Sequence, residues 1–179
     1  MDNKNNKEIV RRILFALLAV GMMALIFWFS DQGASNSSEQ SISVSYKVAR
    51  VIRPGFEKLS PREKEAFVES IEAVIRKCAH FMEYTALGIL LLGAYSCKKR
   101  KHKKSCILVI CTAAAYSVTD EIHQHFVPGR SCEIRDMCID TLGALTGVLI
   151  ITLIQLLIGR IIWHHQVKQK KMRISGKVY

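Results

Sequence analysis

Acidic residues are scarce in this chain. Only 15 Asp and Glu stand against 26 Lys and Arg, for a formal net charge of +11 over 179 residues. Aromatic residues make up 8%, and prolines number three. No Cys-x-x-Cys spacing links the six cysteines, and neither a His-Glu-x-x-His motif nor a Ser or Cys nucleophile motif occurs. No strand pattern competes with helical spacing, and no internal repeat is present. Apolar residues reach 50%, which excludes disorder, collagen and a small disulfide scaffold. The most telling absence is local. Four stretches carry no Asp, Glu, Lys or Arg at all: Ile13–Ser30, Thr85–Cys97, Ser105–Thr119 and Thr141–Gly159. Segregation of apolar from charged residues in a chain this short points to a polytopic membrane protein.

The charges that remain are placed unevenly. Residues 1–12, the loop 98–104 and the tail 160–179 hold 16 of the 26 basic residues and only two acids, Asp2 and Glu8. Lys and Arg enriched in alternate loops follow the positive-inside rule, so both termini and loop 98–104 are expected in the cytoplasm. The basic excess is then topological, with some affinity for anionic lipid. No nucleic-acid partner is expected.

A hydrocarbon core of about 30 Å needs roughly 20 helical residues. The expected spans are about 11–30, 78–97, 105–122 and 138–159, in a single domain that ends in a basic cytoplasmic tail. A signal peptide is the competing reading of the first span. Its apolar run exceeds the usual range of about 7–15 residues, and no small-x-small cleavage site follows cleanly. Between spans one and two, Asp31–Ser45 is polar and reads as a loop. Val44, Val48, Val51 and Ile52 recur at helical spacing and predict a short interfacial helix stopped by Pro54-Gly55. Ser60-Pro61-Arg62-Glu63 has the form of a capping box with Pro at the first helical position. No breaker separates that helix from span two. The fold class is therefore all-α: a four-helix polytopic membrane protein with an extracytoplasmic helical segment between spans one and two.

Spans two and three reach full length only by drawing ionisable residues into the membrane, which marks a functional site. Counted outward from Lys98, Lys104 and Arg160 at about 1.5 Å per residue, Glu83 lies about 22 Å up, His80 about 27 Å, and Asp120, Glu121 and His123 about 24–28 Å. Asp140 and Asp136 fall at about 30 and 36 Å. Three helices thus raise their polar groups to one depth, near the outer edge of the hydrocarbon. Facing agrees with depth. Lys77, His80 and Tyr84 share a stripe, with Glu83 one turn from His80. Tyr116, Asp120 and His123 share another. Asp136, Asp140, Gly143 and Gly147 share a third, in which the small residues let a neighbouring helix approach closely. Phe126-Val127-Pro128-Gly129-Arg130 makes a turn that brings Arg130 over the layer.

Lys77-x-x-His80-x-x-x-Tyr84, then Asp120-Glu121-x-His123-Gln124-x-Phe126-x-Pro128-Gly129-Arg130, then Asp136, Asp140, Gly143 and Gly147, closely resemble the VanZ-like family of bacterial membrane proteins. Phe29-Ser30-x-Gln32 also resembles that family. The resemblance spans roughly residues 13–158 and leaves both basic ends outside it. Asp140 stands where the family more often carries Asn. The family's founding member is linked to resistance against teicoplanin-type glycopeptide antibiotics, which act on peptidoglycan precursors outside the cell. An envelope lipid, a lipid-linked cell-wall precursor or a lipoglycopeptide is the partner this resemblance implies, together with membrane lipids.

Three chemistries fit the cluster. One is ligand binding, with Lys77, His80, Glu83, Tyr84, Asp120, Glu121, His123, Gln124, Arg130, Asp136 and Asp140 as candidate residues. The second is acid/base catalysis on a head group by Glu83, Asp120, Glu121 and His123. The third is a purely structural polar network. His80-x-x-Glu83 has a spacing used in di-iron bundles, but no helix pairs two His at i, i+4, and neither metal nor cofactor is expected. Cys132 and Cys138 are expected as free thiols.

Overall fold

Pro54 cannot continue a helix, and Gly55 adopts the left-handed conformation (φ 78°) that ends one. This pair divides the first half of the chain in a computed structural model that describes residues 3–32, 34–96 and 102–175. Side chains are described for 5–32, 41–96 and 102–167. Five helices follow in order: α1 (Asn3–Ser30), α2 (Ala34–Ile52), α3 (Pro61–Tyr95), α4 (His102–Gln124) and α5 (Ile134–Ser175), with a 3₁₀ turn at Phe56–Lys58. No strand occurs among the described residues.

The expected capping box starts α3. Ser60 Oγ accepts from the Glu63 N–H, and the Glu63 carboxylate accepts from the Ser60 N–H at 2.9 Å, with Pro61 at the first position. The helix then runs unbroken for 35 residues into the second apolar stretch. Among the described residues three helices are long and apolar enough to cross a membrane: Asn5–Ser30, His102–Gln124 and Ile134–Val167. α3 is not among them, because its first half is studded with charge and its apolar stretch is short. It is instead the central helix, packed against each of the other four. Ala19, Ile26, Tyr84, Leu87, Leu92, Val109, Ala113 and Ala144 make the core around it.

The α3–α5 seam is close. A Cβ at Gly143 would fall on the Phe81 carbonyl oxygen, and one at Gly147 on that of Thr85. Thr85 Oγ1 donates across the seam to the Gly143 carbonyl at 3.0 Å. Small residues therefore set the approach on α5, as their spacing predicts.

Two helix boundaries depart from expectation. Residues 34–45 are helical rather than loop. Ser45 and Ala49 are fully buried, and Ala49 packs with Phe56 and Val68 in a second, smaller core. Tertiary burial outweighs the weak helix preference of a Ser-rich run, and Ser45 Oγ bonds back to the Ser41 carbonyl at 2.7 Å. At the other end, α5 does not stop near Gly159. No residue from Arg160 to Ser175 is Pro or Gly, so nothing breaks the backbone pattern and the tail extends the helix. Residues 98–101 of the expected cytoplasmic loop, and Lys177 of the tail, lie outside the described residues.

Candidate functional site

At one end of the bundle α1 and α4 finish and α5 begins. The chain reverses there between α4 and α5 through Gly129, whose φ of 78° favours glycine. Phe126, Val127 and Arg130 donate their N–H groups back to His123, Gln124 and Val127, and Val127 is buried beneath the turn. This tight reversal places Arg130 over α3. A cleft of about 270 Å³ lies beneath it, and its walls include Arg76, Lys77, His80, Glu121, Gln124, Arg130, Asp136 and Asp140.

The inner part of the site is carboxylate held by neutral donors. Asp120, 1% exposed, accepts from Ser30 Oγ at 2.8 Å and from Gln124 Nε2 at 3.2 Å. Gln124 also donates to Ser30 Oγ at 3.1 Å, closing a triangle between α1 and α4. Asp140 accepts from Ser117 Oγ at 2.8 Å. Glu121 accepts the Glu133 N–H at 2.8 Å and so ties the α4–α5 turn to α4. Three buried oxygens have no hydrogen-bond partner among the described residues: Glu83 Oε2, Tyr84 Oη and Asp120 Oδ1.

The mouth is ionic. Lys77 pairs with Asp136 and lies 3.6 Å from Glu133, which also pairs with Arg135 at 2.9 Å. The Arg135 hydrogen bond and then the Lys77 charge hold the Glu133 carboxyl below its ordinary range. Arg130 differs. It forms no ion pair among the described residues, and its guanidinium donates to the Phe29 carbonyl at a long 3.5 Å. Burial, and then the nearby Arg76 charge, pull the Arg130 guanidinium below its usual range, while Asp120 and Glu121 oppose this. A half-buried guanidinium without a carboxylate partner lacks the counter-charge that such groups usually have.

His80 and Glu83 approach each other on α3, with Nδ1 3.5 Å from Oε2. Tyr84 is fully buried and tilts against Tyr116 with 6.1 Å between ring centroids, so it belongs to the core rather than to the cleft wall. His123 is also off the cleft. Its ring stacks on Phe27, and Nε2 lies 3.1 Å from Asp31 Oδ1. Tyr116, Asp120 and His123 do share a stripe, but it faces α1, where Tyr116 Oη donates to the Met23 carbonyl at 2.5 Å. The sequence predicts three helices around the layer, and α1 joins them as a fourth. Among the described residues no three His, Cys, Asp or Glu side chains converge to hold a metal ion. Cys132 and Cys138 are unpaired and exposed.

Sequence reasoning missed Ser117, Arg76 and Glu133, and gave Ser30 no role. Arg76 carried a usable signal, since it lies four residues before His80 and hence on the same face. Ser117 carried none, because its partner is on another helix.

The family model described as VanZ/LLP1 matches residues 15–155. The chain belongs to the VanZ-like family. The match covers all the residues of the cleft and leaves out the first turns of α1 and nearly the whole second half of α5. Three long apolar helices and this family together make the chain a membrane protein. No curated protein and no solved structure gives a significant match. Within this VanZ-like chain, Phe29-Ser30-x-Gln32 gains a physical role, since Ser30 supplies the hydroxyl that holds Asp120.

Proposed function

We propose that the chain is a multi-pass protein of the bacterial cytoplasmic membrane that binds the anionic head group of an envelope amphiphile in the cleft under Arg130. Both termini are cytoplasmic in this reading, and the second half of α3 (about 78–95) is a fourth span whose short apolar run is offset by packing against α1, α4 and α5. α2 and the cleft then lie toward the outer surface, where a lipid-linked cell-wall precursor or a lipoglycopeptide presents its polar part. The positive-inside charge distribution supports the orientation. One observation carries the binding reading: the half-buried Arg130 guanidinium lacks an ion-pair partner among the described residues and overhangs a cleft that also exposes Arg76. An anionic head group would supply the missing charge-assisted bonds.

Arg130→Gln should leave the fold intact and weaken binding of an anionic head group about tenfold or more, as expected for losing a charge-assisted hydrogen bond. Equal affinity of variant and parent for glycerol 3-phosphate and for lysophosphatidic acid would defeat the reading. Orientation has its own check. In a cysteine-free background, a thiol placed in 98–104 should resist a membrane-impermeant label added outside the cell, and one placed in 120–136 should react.

A second reading has a specific observation behind it. Asp120 Oδ1 and Glu83 Oε2 are buried with no hydrogen-bond partner among the described residues, which suits a hydrolase or transferase that holds water against a head group. Glu121 is a weaker acid/base candidate, because its carboxylate already accepts the Glu133 N–H. Release of phosphate from a lipid phosphate by the purified protein, abolished by Glu83→Gln while binding persists, would favour this reading.

A further inference from the structure

A second cavity, of about 500 Å³, runs between α2 and α3 beside the end of α1. Its size is within the range of roughly 300–1,000 Å³ found for small-ligand sites. Its character is unlike that of the cleft. Val44 and Val48 of α2 face Ile75, Ala79 and Met82 of α3 across it, and Val44 and Met82 are 47% and 64% exposed. The two cavities are not independent. Arg76, His80 and Arg130 line both of them, so a polar compartment and an apolar one meet at two guanidiniums and an imidazole.

From this junction we infer that the apolar groove takes the acyl chain of an anionic phospholipid whose phosphate sits between Arg76 and Arg130. The inference rests on the head-group reading above and adds the class of ligand. A soluble anion would need only the cleft. An apolar segment of another protein would need only the groove. A molecule with a phosphate at one end and a hydrocarbon chain at the other needs both, joined where the cations are. Charge complementarity selects phosphate. The other cleft cations, Lys77 and Arg135, are matched by Asp136 and Glu133. Among the described residues Arg76 pairs with Glu72 alone, at 3.3 Å one turn away on its own helix, a type of pair that contributes little. Arg130 has no ion pair among the described residues. Two guanidiniums fit the oxygens of one phosphate better than an ammonium does.

The test uses the full-length protein in maltoside micelles and three probes. These are 1-oleoyl-lysophosphatidic acid (chain and phosphate), glycerol 3-phosphate (phosphate without chain) and oleoyl-lysophosphatidylcholine (chain without net negative charge). The lysophosphatidic acid should bind at least about tenfold more tightly than either of the others, a factor of ten being a modest share of an ordinary ligand affinity. Val44→Trp and Met82→Trp each fill the groove from a partly exposed position on a different helix, and thermal unfolding of each variant checks that it keeps the fold. Each should remove that tenfold advantage while leaving glycerol 3-phosphate binding unchanged. Arg130→Gln should weaken both phosphate probes. Unchanged binding of lysophosphatidic acid in both tryptophan variants would overturn the acyl-chain inference. The head-group reading would survive that result so long as Arg130→Gln still weakened glycerol 3-phosphate, and would fall with it otherwise. A lipid-free dimer sealed through Val44 and Met82, and broken by either tryptophan, would also overturn it.

Discussion

The inner layer at Asp120 and Asp140 and the mouth at Lys77, Glu133, Asp136 and Arg135 are built from the same kinds of residue and held by opposite means. Deep in the bundle two carboxylates accept from neutral side chains: Asp120 from Ser30 and Gln124 through Oδ2, with Oδ1 unpartnered among the described residues, and Asp140 from Ser117. At the mouth the carboxylates are matched by full positive charges. Desolvation explains the division. A buried pair of ions must repay a large solvation cost on both partners, whereas a hydroxyl donor brings no charge of its own to strip of water. At the mouth, water still screens both partners, so ion pairs form cheaply and contribute little. Arg130 lies on the boundary. It is deep enough to be desolvated and forms no ion pair among the described residues, and this is why the proposed ligand position falls on the boundary.

This contrast implies that stability resides in the inner layer. The double variant Ser30→Ala with Gln124→Leu removes both donors from Asp120 and leaves a buried carboxylate with nothing to meet. Its cost is expected at about 3 kcal/mol or more, since one unsatisfied buried group alone costs about 1–3 kcal/mol. Thermal unfolding in detergent should show the largest drop for this protein. At the mouth, Lys77→Met removes two ionic contacts but leaves Asp136 and Glu133 within reach of Arg135 and water. Its cost should stay within about 1 kcal/mol and should shrink further in high salt. A Lys77→Met drop as large as that of the double variant would break the comparison.

Much of this division could be read from the sequence, and some could not. That Asp120, Glu121, Asp136 and Asp140 lie together at one end of the bundle was legible, because a helix rises by a fixed amount per residue and the charge-free stretches fix where counting starts. The capping box at Ser60, the break at Pro54-Gly55 and the Gly143/Gly147 approach were legible for similar reasons, since each depends on residues within one or two turns. Partners across helices were not. Ser117 and Ser30 look like ordinary small residues until another helix supplies the carboxylate. His123 reads as a site residue from its stripe, yet a stripe does not say which neighbour it faces, and here that neighbour is α1. The helical start of α2 and the long run of α5 were hidden for different reasons. The first goes with the burial of Ser45 and Ala49 further along α2, and the second with the absence of any residue that would stop the helix. The apolar groove was invisible as well, since Val44 and Met82 are 38 residues apart in the chain and meet only through the α2–α3 packing.

The smallest effect is the one that separates charge from shape in the inner layer. Asp140 accepts from Ser117 Oγ, and the same oxygen position is available in Asn. Asp140→Asn keeps that bond and the side-chain volume while removing a negative charge from a layer that already contains Asp120 and Glu121. Stability should therefore change by less than about 0.5 kcal/mol, or rise, as expected where a hydrogen bond is kept and like-charge crowding is relieved. Asp140→Leu, by contrast, strands the Ser117 hydroxyl and should cost about 1–3 kcal/mol. If the inner layer is held by hydrogen bonds with neutral donors, unfolding temperatures of the two variants will split in that order. If Asn proved as costly as Leu, the negative charge at Asp140 would be what the layer requires, and the division between a neutral-donor interior and an ionic mouth would fail at its most sensitive point.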